Sequence, residues 1–91
     1  MLSKNQLKLI QKLQQKKYRN ELNLFIVEGK KSIVEFLQAG YRLELLIATE
    51  VFAEVLSHHP ITLVSKEELR KVSALKNPDE GLAIFHQRKH K

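Results

Sequence analysis

Lys and Arg side chains dominate the start of the chain, and the chemistry they could perform there is phosphate binding. Six of them precede Glu21, the first acidic residue. Four of the lysines recur at every fourth position, so on one continuous helix they and the arginine share an arc of about 120°. Such a face can neutralise nucleic-acid phosphates; an ordinary solvated face is the alternative, but it usually mixes charge signs to gain i,i+4 pairs. The candidate residues are Lys4, Lys8, Lys12, Lys16, Lys17 and Arg19.

The remaining positive charge lies at the other end of the chain. Residues 20–85 contain seven Lys and Arg against ten Asp and Glu, whereas residues 86–91 add Arg88, Lys89 and Lys91. The whole chain therefore carries +6, with both basic ends flanking a slightly acidic body. This distribution favours a polyanion as partner.

A second candidate site lies where a predicted strand meets a predicted helix, at Glu28, Gly29 and Lys30. The start of a helix presents free N–H groups and a partial positive charge, which favour phosphate, and Lys30 and Lys31 would strengthen that field. Alternatively, Gly29 simply makes the turn and both lysines are solvated. One glycine is not a P-loop, so nucleotide hydrolysis is not expected. We also expect an ion pair between Arg19 and Glu28.

Other kinds of site are not indicated. The chain has no cysteine, which excludes disulfides and thiolate metal ligands. His58 and His59 are adjacent and would point about 100° apart on a helix, so they form a poor chelating pair. We therefore expect no metal site and no catalytic residue in this chain.

Apolar periodicity predicts the elements that must position these residues. A first helix begins after Ser3, in a capping box, and continues to about Arg19; three further helices and four short buried strands alternate behind it. This alternation predicts an α/β fold, a three-layer α/β/α sandwich around a mostly parallel four-stranded sheet. The later helices begin near Lys30, Thr49 and Ser65, and the strands are residues 24–27, 43–48, 61–64 and 82–85.

Length and composition indicate one small domain. The 91 residues are 43% hydrophobic, which is sufficient for one core. We predict a domain over residues 1–85 and a basic tail, or the start of a linker, over residues 86–91. No apolar run approaches the ~18 residues that span a bilayer, and the first residues do not form a signal peptide. We expect a cytoplasmic protein without membrane contact.

Three segments resemble the N-terminal substrate-binding domain of SpoU/TrmH-family RNA 2′-O-ribose methyltransferases of the SPOUT superfamily. They are residues 16–19 (KKYR), 24–33 (LFIVEGKKSI) and 73–85 (SALKNPDEGLAIF). The shared features are a basic helix, an arginine, a strand ending in Glu-Gly, and a closing turn with proline and glycine. The resemblance implies a ribosomal-protein-like RNA-binding fold, with structural roles for Glu28, Gly29, Pro78 and Gly81.

The resemblance also implies a division of labour. This domain would hold ribosomal or transfer RNA, while a following SPOUT domain binds S-adenosylmethionine and methylates a ribose 2′-hydroxyl. The chain ends where the linker would begin, so we expect an inactive fragment without cofactor, monomeric by itself, from a homodimeric enzyme. The alternatives are a free-standing protein that binds ribosomes or structured RNA, and a module that binds an acidic protein. The expected RNA contacts are Lys4, Lys8, Lys12, Lys16, Lys17, Arg19, Lys30 and Lys31.

Overall fold

The computed structural model describes residues 2–56, 59–73 and 81–88. Within these residues, five helices and four strands follow one another along the chain. They are α1 (Lys4–Lys12), α2 (Lys16–Leu22), β1 (Leu24–Glu28), α3 (Lys30–Gln38), β2 (Leu43–Ala48), α4 (Glu50–Val55), β3 (Thr62–Leu63), α5 (Lys66–Val72) and β4 (Gly81–His86). No helix of these residues has the length and apolar character needed to cross a membrane.

The four strands form one mixed sheet in the order β1-β4-β2-β3. The predicted α/β class is confirmed, but the prediction of a mostly parallel sheet is wrong. β4 pairs antiparallel with both β1 and β2, and only β2 and β3 are parallel neighbours. The first three strands do share one direction, as the alternation with helices predicts. The last strand enters between two of them in the opposite direction.

The apolar pattern of β4 explains why its direction could not be predicted. Its first five residues, from Gly81 to Phe85, are all buried. A strand buried on both faces has the same hydrophobic run whether it lies parallel or antiparallel to its neighbours. The pattern therefore predicted a buried strand without specifying its direction.

Alternating residues of β4 divide the core into two clusters on opposite faces of the sheet. Leu82 and Ile84 pack in a cluster with residues of α1 and α5, among them Ile10. Ala83 and Phe85 pack in a cluster with residues of α3 and α4. Helices thus cover both sides of the sheet.

The prediction of one long N-terminal helix is wrong. The chain leaves the helical path after Lys12, and α2 starts at Lys16 behind Gln15, whose backbone is extended with φ −103° and ψ 131°. The side chain of Leu13, at the break, is only 1% exposed. Burial of this side chain accompanies the turn, which sends α2 in a new direction along β1.

Local sequence signals place several element boundaries where the structure has them. Ser3 and Ser65 each form a capping box at the start of α1 and α5. The strand predicted at residues 43–48 is β2 as observed. The third strand is shorter than predicted, since only Thr62 and Leu63 pair with β2. Thr49 occupies the N-cap position of α4.

Contacts to the body also hold the residues that follow Phe85. His86 Nε2 lies 2.8 Å from Glu44 Oε1, and the backbone N–H of Gln87 donates to the carbonyl of Asn23 at 2.8 Å. The Arg88 guanidinium lies 3.9 Å from the centre of the Tyr41 ring and donates to the carbonyl of Ala39. Residues 86–88 are therefore part of the folded body. The rest of the tail or linker predicted over residues 86–91, which is residues 89–91, lies outside the described residues.

Candidate nucleic-acid interface

The two N-terminal helices bring two lysines to one aromatic ring. Lys12 ends α1 and Lys17 belongs to the first turn of α2. Their Nζ atoms lie 5.6 Å and 5.5 Å from the centre of the half-buried Tyr18 ring. Both distances are within the range of a cation–π contact. The pair of lysines and Tyr18, which we call the Tyr18 cluster, places two exposed positive charges at the break between the helices.

The remaining lysines of the two helices add positive charge with little compensating negative charge. Lys4, Lys8 and Lys16 are all exposed. Across α1 and α2, Glu21 is the single acidic residue, against six Lys and Arg. Two helices replace the predicted single stripe, so the basic surface follows the bend between them.

The expected ion pair between Arg19 and Glu28 is not formed. Nη1 of Arg19 donates to the carbonyl oxygens of Leu13 and Gln14, at 3.0 Å and 3.1 Å. The carboxylate of Glu28 accepts a hydrogen bond from the Ser73 hydroxyl. These partners could not be predicted from the sequence, because the carbonyls of Leu13 and Gln14 lie in a turn and Ser73 lies at a helix end. The positions of the turn and of the helix end depend on tertiary packing.

Hydrogen bonds link the helix break to the second candidate site through the end of α5. Gln14 Nε2 donates to the carbonyl of Val72 at 3.4 Å. The next residue, Ser73, donates to Glu28, directly before the start of α3. The two candidate sites are therefore joined by one chain of contacts, although they lie on different elements.

Gly29 occupies the N-cap position of α3 in a conformation that L side chains rarely adopt, with φ 97° and ψ 140°. Its N–H donates to the carbonyl of Gly81 at 3.3 Å. Gly29 itself has no side chain with which to cap this end of α3, and Lys30 and Lys31 in the first turn are exposed. The predicted structural residue Pro78 lies outside the described residues, as do Asn77 and Asp79.

Gly81 begins β4 against the aromatic ring of Phe52. A Cβ atom at this glycine would lie 2.6 Å from Phe52 Cδ2 and 3.1 Å from the carbonyl oxygen of Ile47. The first separation is shorter than real Cβ contacts, and the second is tighter than most of them. The close approach of β4 to α4 therefore depends on the absence of a side chain here.

A carboxylate at the start of α5 anchors the N-terminus of the chain. Glu68 accepts hydrogen bonds from the backbone N–H of Leu2, at 3.1 Å, and from that of Ser65, at 3.2 Å. Hydrogen bonds to the charged form lower the pKa of the Glu68 carboxyl, first through Leu2 and then through Ser65. This acid is therefore used in holding α1 to α5.

The sequence analysis did not predict a cluster of four aromatic side chains. It lies at the end of β1 and β4 that is opposite to Gly29 and Gly81. Phe25, Phe36 and Phe85 pack with Tyr41, with ring centres 4.8 to 6.4 Å apart. Arg88 covers the Tyr41 ring. A signal existed in the aromatic content of β1, α3 and β4, but three elements must meet before those residues become neighbours. Among the described residues, no group of three or more His, Asp or Glu side chains could hold a metal ion.

Comparisons with known proteins agree on one family. The model of the MRM3-like substrate binding domain matches residues 4–83. No curated protein sequence matches the chain significantly. Several solved structures match it along nearly its whole length.

Three of these solved structures are RNA methyltransferases. A protein from Porphyromonas gingivalis assigned to the TrmH family is 27% identical with a TM-score of 0.88, and the match covers 100% of this chain and 38% of that protein. An RNA 2′-O ribose methyltransferase is 26% identical with a TM-score of 0.80, over 98% and 37%. The AdoMet-bound rRNA methyltransferase from Sinorhizobium meliloti is 28% identical with a TM-score of 0.77, over 99% and 36%. This chain thus spans little more than a third of their length.

Proposed function

The chain belongs to the family of MRM3-like substrate binding domains, and from this premise we propose that it binds the RNA substrate of a TrmH-type 2′-O-ribose methyltransferase. The names of its solved relatives support the reaction class, since they include an RNA 2′-O ribose methyltransferase and an rRNA methyltransferase. The observation that carries the RNA-binding role is the Tyr18 cluster, in which Lys12 and Lys17 converge from separate helices.

The physical basis of binding is neutralisation of phosphates. Each lysine that contacts a phosphate releases condensed counterions, which makes the affinity strongly dependent on salt. Structured RNA is recognised largely through its shape and backbone, and a bent basic surface is suited to that mode. We assign phosphate contacts to a first group on α1 and α2 and a second group at the start of α3. These residues are Lys4, Lys8, Lys12, Lys16, Lys17, Lys30 and Lys31.

We place the methyl-transfer chemistry outside this chain. One relative was solved with AdoMet bound, and AdoMet supplies the methyl group in the proposed reaction. We assign its binding, the methyl transfer to a ribose 2′-hydroxyl and the homodimer contact to the part of the relatives that this chain does not span. In this proposal the protein acts on ribosomal or transfer RNA in the cytoplasm, and this domain positions the RNA.

Charge reversal at the Tyr18 cluster tests the RNA-binding role. If about six phosphates are neutralised, affinity for a stem–loop RNA should fall roughly 10³-fold between about 50 and 200 mM salt. The double variant K12E/K17E should bind at least roughly tenfold more weakly, since it places two like charges against the phosphates. Its plot of log affinity against log salt should be shallower by about two. Filter binding over a salt series measures all three quantities.

A matched control separates a local effect from a change in net charge. Arg42 and Lys66 are exposed cations outside α1 and α2, so R42E/K66E has the same net charge as K12E/K17E. We expect the control variant to retain most of the affinity and both variants to keep the wild-type circular dichroism spectrum. Equal losses for the two variants, or wild-type binding that is independent of salt, would contradict the proposal.

A further inference from the structure

The side chain of Arg19 is directed back onto the break between α1 and α2. Its Nη1 atom donates to two successive backbone carbonyls, those of Leu13 at 3.0 Å and Gln14 at 3.1 Å. The side chain is half-buried, whereas all five lysines of the two helices are exposed. Arg19 thus differs from Lys12 and Lys17, which contact an aromatic ring, because it donates hydrogen bonds to the backbone.

The hydrogen bonds of the break show why an arginine is needed there. The carbonyls of Leu9, Gln11 and Lys12 accept from the backbone N–H groups of the three residues that follow α1. The carbonyl of Gln15 accepts from Tyr18 and Arg19 as α2 begins. The carbonyls of Leu13 and Gln14 lie between these two groups, and within the described residues they accept hydrogen bonds from Arg19 alone. One guanidinium thus supplies the hydrogen bonds that neither helix can supply.

The backbone of Arg19 is fixed as well. Gln87 Nε2 donates to the Arg19 carbonyl at 3.1 Å and to the Leu24 carbonyl at 3.2 Å. The residue is therefore held from both sides, by its side chain to the end of α1 and by its carbonyl to the segment after β4. Its contacts set the position of α2 relative to α1.

We propose that Arg19 is a positioning residue of the RNA interface. It holds α1 against α2 so that Lys12 and Lys17 meet at Tyr18, and the two lysines, not Arg19, contact phosphate. This inference rests on the proposed function for its effect on RNA, but its structural part concerns the free protein. The two parts can be tested separately.

Nuclear magnetic resonance of the free protein tests the structural part. The variant R19M removes every donor of the side chain, and K16M removes the same charge from an exposed neighbour on α2. We expect nuclear Overhauser contacts between the Tyr18 ring and the Lys12 and Lys17 side chains in wild type and in K16M. In R19M these contacts should be lost while the amide signals of β1, β2 and β4 stay in place. Retention of the Tyr18 contacts in R19M would overturn the proposal.

The salt dependence of RNA binding tests the functional part. K16M should reduce the slope of log affinity against log salt by about one, the effect of one lost phosphate contact. R19M should reduce it by about two, because both lysines of the cluster leave the interface. Adding K12M and K17M to R19M should then change the slope little. A reduction of about one in R19M that adds fully to that of K12M/K17M would show direct phosphate contact and overturn the proposal.

Wild-type protein provides a measurement that does not depend on whether R19M folds. In a titration with stem–loop RNA, the Nζ signals of Lys12 and Lys17 should shift and the Arg19 guanidinium signals should stay nearly constant. Shifts of the Arg19 guanidinium signals as large as those of the lysines would overturn the assignment. If wild-type protein binds no RNA, the proposed function fails, while the Tyr18 contacts still decide the structural part.

Discussion

Gly81 shows how a single residue can be required for its volume and not for its backbone angles. The position has little room for a Cβ atom, since Phe52 and the carbonyl of Ile47 occupy the space. Gly29 differs, because its φ of 97° is the constraint there. The two glycines at the start of α3 and of β4 are joined by a hydrogen bond, yet they are needed for separate physical reasons.

The substitution G81A should destabilise the domain by about 1–3 kcal/mol, the usual cost of overpacking a core. The added methyl group must displace the Phe52 ring, which is 1% exposed, or move β4 away from β2. Chemical denaturation monitored by circular dichroism measures the loss.

A smaller partner side chain provides the control for this effect. In the double variant G81A/F52A the ring atoms nearest to the new Cβ, Cδ2 and Cε2, are gone, so the loss should be smaller than the sum of the two single losses by about 0.5–3 kcal/mol. Strict additivity of the two substitutions would show that the contact between Gly81 and Phe52 does not limit the packing.

At the residue scale, local chemistry was predictable and distant partners were not. The capping boxes at Ser3 and Ser65 follow from side chains three residues apart, which the sequence displays directly. The partners of Arg19 are backbone carbonyls, which every residue has. Nothing in the sequence distinguishes the carbonyls of Leu13 and Gln14 until the helix breaks there.

The sequence at the start of α2 conflicts with helix electrostatics. Its first turn contains Lys16 and Lys17 and no acidic residue, and Gln15 at the N-cap makes no side-chain cap. Cations at this end of a helix are unfavourable by about 0.3–1 kcal/mol each. Local rules are most often broken at functional sites, which agrees with a role of these lysines in binding an anion.

Reversing one of these charges should therefore raise the stability of the free domain and lower its affinity for RNA. The variant K16E should stabilise the free domain by roughly 0.5–1 kcal/mol, because a carboxylate interacts favourably with the start of a helix. The same variant should bind stem–loop RNA roughly tenfold more weakly, since it repels phosphate. Thermal melts and filter binding of the same preparation measure the two effects.

Lys8 provides the matched comparison, because it lies in the middle of α1, away from either helix end. K8E has the same charge as K16E and should also weaken RNA binding, but any gain in its melting temperature would come from i,i+4 pairs with Lys4 and Lys12 and not from the start of a helix. The predicted opposite effects on stability and RNA binding would be refuted if K16E lowered stability, or if it raised stability and left RNA binding unchanged.

The predicted helices and strands are correct where a sequence pattern lies within one element. They are wrong where a pattern continues across a break in the backbone. Residues 43–48 read as a strand and form β2. The lysines at every fourth position from Lys4 to Lys16 read as one helix, because the spacing continues across the break. The burial of Leu13, which accompanies the break, depends on the sheet and α5 and cannot be read from periodicity.

At the scale of the whole molecule, the last strand of the chain holds the sheet together. β4 lies between β1 and β2, pairs with residues 24–28 on one side and residues 43–48 on the other, and contributes Leu82 and Phe85 to different core clusters. Without it, β1 and β2 would have no common neighbour. Its apolar run predicted a buried strand, but neither its central position nor its direction was predicted.

A pair of C-terminal deletions tests this dependence. Removal of residues 81–91 should abolish cooperative unfolding. It exposes the edges of β1 and β2 that pair with β4, and it opens both core clusters. Removal of residues 89–91 should leave the melting temperature nearly unchanged, since Arg88 and its contact with Tyr41 remain. Calorimetry distinguishes the two chains, and a cooperative transition in the shorter one would contradict the assigned role of β4.

The position of β4 has a consequence for synthesis of the protein. A nascent chain emerges from the ribosome with its N-terminus first, so α1, α2 and β1 are outside long before their central partner is made. Until β4 arrives, the strand edges that it will cover are open to other chains. We expect the domain to remain unfolded through most of its translation and to acquire its fold late, when residues 81–86 leave the exit tunnel.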